Sequence, residues 1–138
     1  MRRPLIAVLA AFAALLAVPA TASATPGTGV TGTILAQKTI GHTDYTLREI
    51  TIQPGGYTGW HFHDGTLYAY VKSGTLTHNL ADCSIDGIFG TGRAFTEKPD
   101  QVHIGRNLGS TPLVLEVLYV LPAGSPLSED APDPGCGF

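Results

Sequence analysis

The segment GGYTGWHFHDGTLYAYVKSG, residues 55–74, decides the fold, because it places two histidines one residue apart between glycines. On a β-strand, residues i and i+2 point to the same face. His61 and His63 are therefore expected to aim two imidazoles at one point. Trp60 and Phe62 are expected to face the other way. Two converging imidazoles indicate a metal site, which still needs a third ligand and an enclosing fold.

The sequence around this segment is patterned for strands. Short stretches rich in Val, Ile, Thr, Leu and Tyr alternate with turn residues, which is typical of an all-β sandwich or barrel. Helical periodicity is almost absent after residue 24. The predicted strands are Gly32–Ile40, Tyr45–Gln53, Thr58–His63, Thr66–Lys72, Thr75–Leu80, Gly87–Phe89, Ala94–Glu97, Val102–Asn107 and Leu113–Leu121.

Residues 1–24 predict a secretory signal peptide. A basic start precedes an apolar run, which ends in small residues at Ala22-Ser23-Ala24. The run is short for a membrane-spanning helix, which needs roughly 20 apolar residues. A signal peptide cleaved after Ala24 is therefore favoured over a membrane anchor. Residues 25–138 are then a single secreted domain, with a Pro- and Gly-rich tail from about residue 123.

The charge of this mature chain argues against several partners. Without Arg2 and Arg3, six basic side chains stand against eleven acidic ones, a formal charge of −5. The basic residues are scattered singly, so no nucleic-acid-binding surface is predicted. No second apolar span follows the signal peptide, so no membrane association is expected after cleavage.

The chain has two cysteines, Cys83 and Cys136. Export exposes both to oxidising conditions. Neither lies in a local metal-binding or catalytic motif. A disulfide that fixes the C-terminal tail to the body is therefore favoured over thiolate ligands or a nucleophilic cysteine.

The opening segment resembles the first motif of the cupin family. From Gly55 through His61 and His63 to Gly74 the spacing is that of the motif, but Leu67 stands where the family carries Glu. The resemblance implies a cupin-type antiparallel double-sheet (jelly-roll) β-barrel.

Residues 92–107, GRAFTEKPDQVHIGRN, resemble the second cupin motif. His103 lies eleven residues after Gly92, and Asn107 lies four residues after His103, as in the family. The register departs from the motif at residues 98–100, where Lys replaces the usual Pro and Asp replaces a Gly.

The resemblance implies that His61, His63 and His103 bind one divalent metal ion inside the barrel. Leu67 cannot coordinate, so the charge of the ion lacks a carboxylate. An anionic fourth partner, such as hydroxide or a substrate carboxylate, is then expected. The ion is Zn, Ni, Cu, Fe or Mn, and the sequence does not choose among them. The alternative is a degenerate site whose histidines only form hydrogen bonds.

Several residues are candidates to replace the missing Glu. By alternation, Asp64 and Tyr68 point away from the metal. His78 lies on the next strand and is given only a minor possible role in the site. Glu49 and Glu116 lie on long strands, where either is able to point inward.

Leu67, Ala69 and Val71 are expected to line an apolar pocket beside the metal. The other face of these strands carries Phe62, Tyr68 and Tyr70. Outward-facing aromatic side chains need cover, either from the N-terminal strands or from a second subunit. A homodimer is therefore predicted.

Together these features predict a secreted, metal-binding protein that binds or acts on a small organic molecule, with oxygenase-type chemistry as one option. No general base can be identified, so no reaction is named. The alternatives are a non-catalytic module that binds a small ligand and a structural extracellular protein with a vestigial site.

Overall fold

The computed structural model describes residues 26–138, so the predicted signal peptide lies outside the described residues. No helix occurs among the described residues, and none is therefore long and apolar enough to cross a membrane. The all-β prediction is confirmed. The strands are β1 (Thr28–Ile40), β2 (Thr43–Tyr57), β3 (His61–Phe62), β4 (Thr66–Ser73), β5 (Thr75–Leu80), β6 (Ile85–Gly90), β7 (Ala94–Glu97), β8 (His103–Arg106), β9 (Leu113–Pro122) and β10 (Glu129–Asp130).

Two groups of antiparallel strands form a nearly closed jelly-roll barrel, as predicted. In the first wall the strand order is β1-β2-β9-β4-β7. In the second wall it is β6-β5-β8-β3-β10. The walls join where Tyr57 on β2 pairs with Arg106 on β8.

The first wall supplies most of the apolar core. Along β2, β4 and β9, alternate side chains point inward and are buried, because successive residues of a strand face opposite sides. Leu67, Ala69 and Val71 lie in this core. The buried cluster consists of Ile50, Ile52, Leu67, Ala69, Val71, Leu76, Leu113, Leu115, Val117, Tyr119 and Leu121.

The outer face of the first wall carries charged and aromatic side chains. Glu49 and Glu116 both lie there, with carboxylate oxygens 2.6 and 3.5 Å from the Nζ of Lys72. The hypothesis that either glutamate points inward is therefore wrong, because alternation places both opposite the core residues of β2 and β9. Tyr68 and Tyr70 are exposed on the same face.

The C-terminal tail is more ordered than its composition predicts. It contributes β10, whose Glu129 and Asp130 pair with Phe62 and His61 of β3. The backbone N–H of Ala131 then donates to the carbonyl of Trp60 at 2.9 Å. A second buried cluster of Trp60, Ile104 and Ala131 forms under the tail, with Phe62 packed against it. The tail therefore covers Phe62, in place of the predicted cover by the N-terminal strands or a second subunit.

The predicted disulfide between Cys83 and Cys136 is present, with Cα atoms 5.4 Å apart and a sequence separation of 53 residues. Cys83 lies in the turn between β5 and β6, and Cys136 lies near the chain end. Beyond it, the ring of Phe138 stacks on the guanidinium of Arg106 at 3.7 Å. The bond therefore holds the tail against the second wall.

Candidate metal centre

Four histidines converge on the inner side of the second wall. His61 lies on β3, His63 directly follows β3, His78 lies on β5, and His103 lies on β8. Register explains part of this convergence, because His61 and His103 are direct cross-strand partners. The ring centroid of His103 lies 4.3 Å from that of His61, 5.2 Å from that of His63 and 4.7 Å from that of His78. The structure thus brings together the three histidines predicted as ligands and adds His78.

Backbone carbonyls fix the tautomer of three of these imidazoles. The Nδ1 atom of His61 lies 2.9 Å from the carbonyl oxygen of Gly59. The Nδ1 atoms of His63 and His103 each lie 2.7 Å from a carbonyl oxygen, that of Leu127 and of Gln101. A carbonyl only accepts, so each Nδ1 must donate its proton. In the neutral ring, Nε2 then carries no proton, and its lone pair is available to bind a metal ion.

The lone pairs of His63 and His103 are buried and lack a hydrogen-bond donor. Within residues 26–138, neither Nε2 atom has a hydrogen-bond partner. Both face the carboxylate of Glu97, at 3.2 Å from His63 and 3.5 Å from His103. A lone pair and a carboxylate at this distance repel each other unless a cation lies between them. This arrangement fits a metal ion.

Glu97 is the residue that sequence reasoning missed. It lies on β7 and is the direct cross-strand partner of Leu67. The carboxylate expected at position 67 is therefore supplied from the neighbouring strand. Alternation from Phe95 on β7 was a usable signal, because it places Glu97 on the inner face, six residues before His103.

Glu97 stays ionised in this environment. Burial raises the pKa of its carboxyl group, but the close imidazoles of His103, His63 and His78 outweigh burial. They hold the pKa well below its ordinary value. Imidazoles stabilise a carboxylate only when Nε2 carries a proton or a metal ion, so the ionised Glu97 and a bound cation would stabilise each other.

His78 is held from both sides by carboxylates. Its Nδ1 lies 3.1 Å from an oxygen of Asp86, and its Nε2 lies 3.5 Å from Glu97. A carboxylate on one imidazole nitrogen orients the other nitrogen toward a metal. Two overlapping groups have ligand atoms within 4.8 Å of one another, namely His61, His63 and His103, and His78, Glu97 and His103.

His61 is strongly biased toward the neutral form. Burial, followed by the nearby imidazoles of His103 and His63, lowers the pKa of His61 to about 3. The carbonyl of Gly59 and the charge of Glu97 oppose this shift without cancelling it. A ligand histidine must be neutral to bind a metal, so the environment of His61 favours coordination at ordinary pH.

The histidine cluster opens into a small inner chamber of about 40 Å³. Leu67 lines this chamber, whereas Ala69 and Val71 pack in the core behind it. A mostly apolar space with a few converging polar groups is typical of sites for small molecules. The apolar lining side chains are Ile50, Leu67, Leu76, Phe95, Leu115 and Val117.

Comparison with known proteins agrees with this architecture. A family model described as a cupin domain matches residues 48–121. No curated protein is significantly similar to the chain in sequence.

Three solved structures illustrate the similarity of fold. The polyketide cyclase RemF from Streptomyces resistomycificus superposes with a TM-score of 0.61 at 20% identity, covering 91% of this chain and 90% of the cyclase. A protein with a double-stranded β-helix domain from Klebsiella pneumoniae gives 0.58 at 18% identity, covering 74% and 84%. A cupin domain from Bordetella pertussis gives 0.56 at 22% identity, covering 70% and 95%. At these identities the likeness shows the fold alone.

Proposed function

Since the chain belongs to the cupin family, we infer that it is a metal-binding cupin that takes a small organic molecule into its barrel. His61, His63 and His103 would hold one divalent ion, with Glu97 as the carboxylate ligand. The buried Nε2 lone pairs of His63 and His103, which face Glu97 without a donor, carry this inference. Metal binding removes this repulsion, whereas an empty site relieves it only by adding a second proton to an imidazole.

The groups around the metal centre have separate roles. Backbone carbonyls hold the imidazoles of His61, His63 and His103 in the metal-binding tautomer. Asp86 orients His78 toward Glu97, which places a further imidazole beside the carboxylate. The apolar lining of the inner chamber favours the apolar part of a ligand. When bound, the ion would act as a Lewis acid that polarises a ligand oxygen or lowers the pKa of bound water.

The choice between an enzyme and a binding module follows from the ion. A redox-active ion such as iron or copper supports oxygenase-type chemistry, whereas zinc supports hydrolytic chemistry or ligand binding alone. The polyketide cyclase has a similar fold, so cyclisation of a small organic molecule is a further candidate reaction. A vestigial site predicts no stoichiometric metal at all.

We also propose that the protein is secreted and forms a homodimer. The disulfide supports an oxidising compartment. For the dimer, Tyr68 and Tyr70 remain 54% and 46% exposed on the outer face of the first wall. Ile34 and Leu35 of β1 are each 50% exposed. Apolar side chains on a wall and on its terminal strand favour cover by a second copy.

The first prediction concerns metal content. Protein recovered from the exported fraction should contain one divalent ion per chain by elemental analysis. His103→Ala should lose most of this metal while circular dichroism shows a folded barrel. His42→Ala removes an exposed imidazole and serves as the matched control, with metal content unchanged.

A metal content near zero in the wild-type protein, or equal content in the His103→Ala and wild-type proteins, would overturn the metal-binding function. Sedimentation of the same sample tests the dimer, and a mass of one chain would contradict it.

A further inference from the structure

Arg48 directs a positive charge into the barrel. It lies on β2 between the buried residues Thr46 and Ile50, so alternation turns its side chain to the inner face. The guanidinium lies directly over Gly32 of β1, where a Cβ would overlap it. Gly32 therefore leaves the space that the guanidinium occupies.

The guanidinium is held in place but is not neutralised. It lies beside the hydroxyl of Tyr119, a buried residue of β9 whose ring packs edge-on against His63. Burial raises the pKa of Tyr119, although Arg48 opposes the shift, so this hydroxyl stays protonated and neutral. Arg48 forms no ion pair with any carboxylate in the part of the chain that the structure describes. Most of its five N–H groups are therefore available to a ligand.

Arg48 faces the same space as the histidines. A second, outer chamber of about 110 Å³ is lined by Arg48 together with His61 and His63. It shares five lining residues with the inner chamber, which are Ile50, Thr58, His61, His63 and Tyr119. A molecule that occupies both chambers would meet the guanidinium at one end and the metal-binding imidazoles farther in.

We propose that Arg48 binds the carboxylate of a small organic acid whose apolar part enters the inner chamber. The geometry of the group supports this class of ligand, because a planar guanidinium matches a carboxylate through two parallel hydrogen bonds. Gly32 and Tyr119 act as positioning residues for Arg48. This assignment rests on the proposed function only in that the histidines hold the ion at the far end of the ligand.

Asp130 limits the charge of the ligand. It is an exposed residue of β10 that also lines the outer chamber. A carboxylate opposite Arg48 repels a second negative group on the ligand. We therefore expect an acid with one carboxylate, and we expect removal of the charge of Asp130 to strengthen its binding.

The test uses benzoate as the probe and benzamide as its neutral match. Calorimetry of the secreted protein, in zinc-loaded and in chelator-treated form, should show benzoate binding. Arg48→Met should weaken it about 10- to 100-fold in both forms, since hydrogen bonds to charged groups contribute roughly 1.5–3 kcal/mol. Arg48→Lys should restore only part of the loss. Benzamide binding should not change, and neither should zinc content.

Gly32→Ala is the second variant. It keeps the charge of Arg48 but displaces the guanidinium, so it should weaken benzoate binding while leaving folding intact, because Gly32 lies in the extended β1 strand. Asp130→Asn should strengthen benzoate binding. Equal benzoate affinity in Arg48→Met and wild type would overturn the proposal, as would no benzoate binding by the wild-type protein in either form. A wild-type protein that takes up no divalent ion, but whose benzoate binding still depends on Arg48, would instead refute the metal centre and leave this site standing.

Discussion

The two walls of the barrel differ in what their inner faces carry. The first wall presents an aliphatic surface built from β2, β4 and β9. The second wall presents His61, His63, His78 and His103. Glu97 and Arg48 are the charged side chains that the first wall directs toward the histidines, one from β7 and one from β2.

This difference indicates a division between stability and chemistry. Apolar burial is the main favourable term in folding, and here the first wall provides most of it. The imidazoles of the second wall are costly to bury, because their lone pairs lack donors. The disulfide and the tail support this second wall from outside, where a closed loop of 53 residues contributes about 4 kcal/mol by chain-entropy arithmetic. Substitutions in the two walls should therefore separate folding from ligand binding.

The largest effect is expected for Leu113→Ala in the first wall. Leu113 is fully buried in the core, outside the residues that line the chambers. The lost contacts and the resulting cavity should lower the free energy of unfolding by about 2–5 kcal/mol. Denaturant unfolding measures this loss. The zinc content of the folded fraction should equal that of the wild-type protein.

Leu118→Ala is the matched control, because Leu118 lies on the same strand but on the outer, half-buried face. It should cost less than about 1 kcal/mol. Equal losses for the two variants would show that the inner face of the first wall contributes no more to stability than its outer face.

The second prediction concerns transfer of the carboxylate from position 97 on β7 to position 67 on β4. Glu97→Leu should weaken zinc binding at least about tenfold, because it removes the charge that faces the imidazoles. Adding Leu67→Glu in the same chain should recover much of this affinity, because positions 67 and 97 are direct cross-strand partners. Competition with a chelating dye measures both affinities.

Glu116→Gln controls for the loss of any glutamate, since Glu116 lies on the outer face. It should leave zinc affinity unchanged. A double variant no better than Glu97→Leu alone would mean that a carboxylate at position 67 does not reach the ion.

Local pattern predicted the parts of the site that lie close together in sequence. Alternation placed His61 and His63 on one face, and the spacing of the second motif supplied His103. Glu97 was not predicted, because it comes close to the position of Leu67 only through the register of β4 with β7. That register depends on the whole barrel. The same holds for His78, which reaches the centre through the pairing of β5 with β8. Composition concealed β10, because tail contacts outweigh the low strand propensity of a Pro-rich segment.

The smallest effect is expected on the outer face, at Lys72. Its ammonium group lies between Glu49 and Glu116, and the hydrogen bond to Glu49 is the main reason that its pKa is raised above 10.5. A raised pKa in the folded state contributes stability that is present below this pH and is lost at more alkaline pH. Lys72→Met should therefore lower the denaturation midpoint slightly at neutral pH.

The difference between Lys72→Met and wild type should shrink in about 1 M salt, where the screening length falls to about 3 Å. Lys38→Met is the matched control, because Lys38 is exposed on β1 and forms no ion pair among residues 26–138. A loss for Lys72→Met as large as that for Leu113→Ala, or one that persists in high salt, would contradict the division of the first wall into a stabilising inner face and a solvated outer face. Lys72 would then contribute through packing of its aliphatic side chain against the neighbouring tyrosines. The outer face would in that case belong to the folding core.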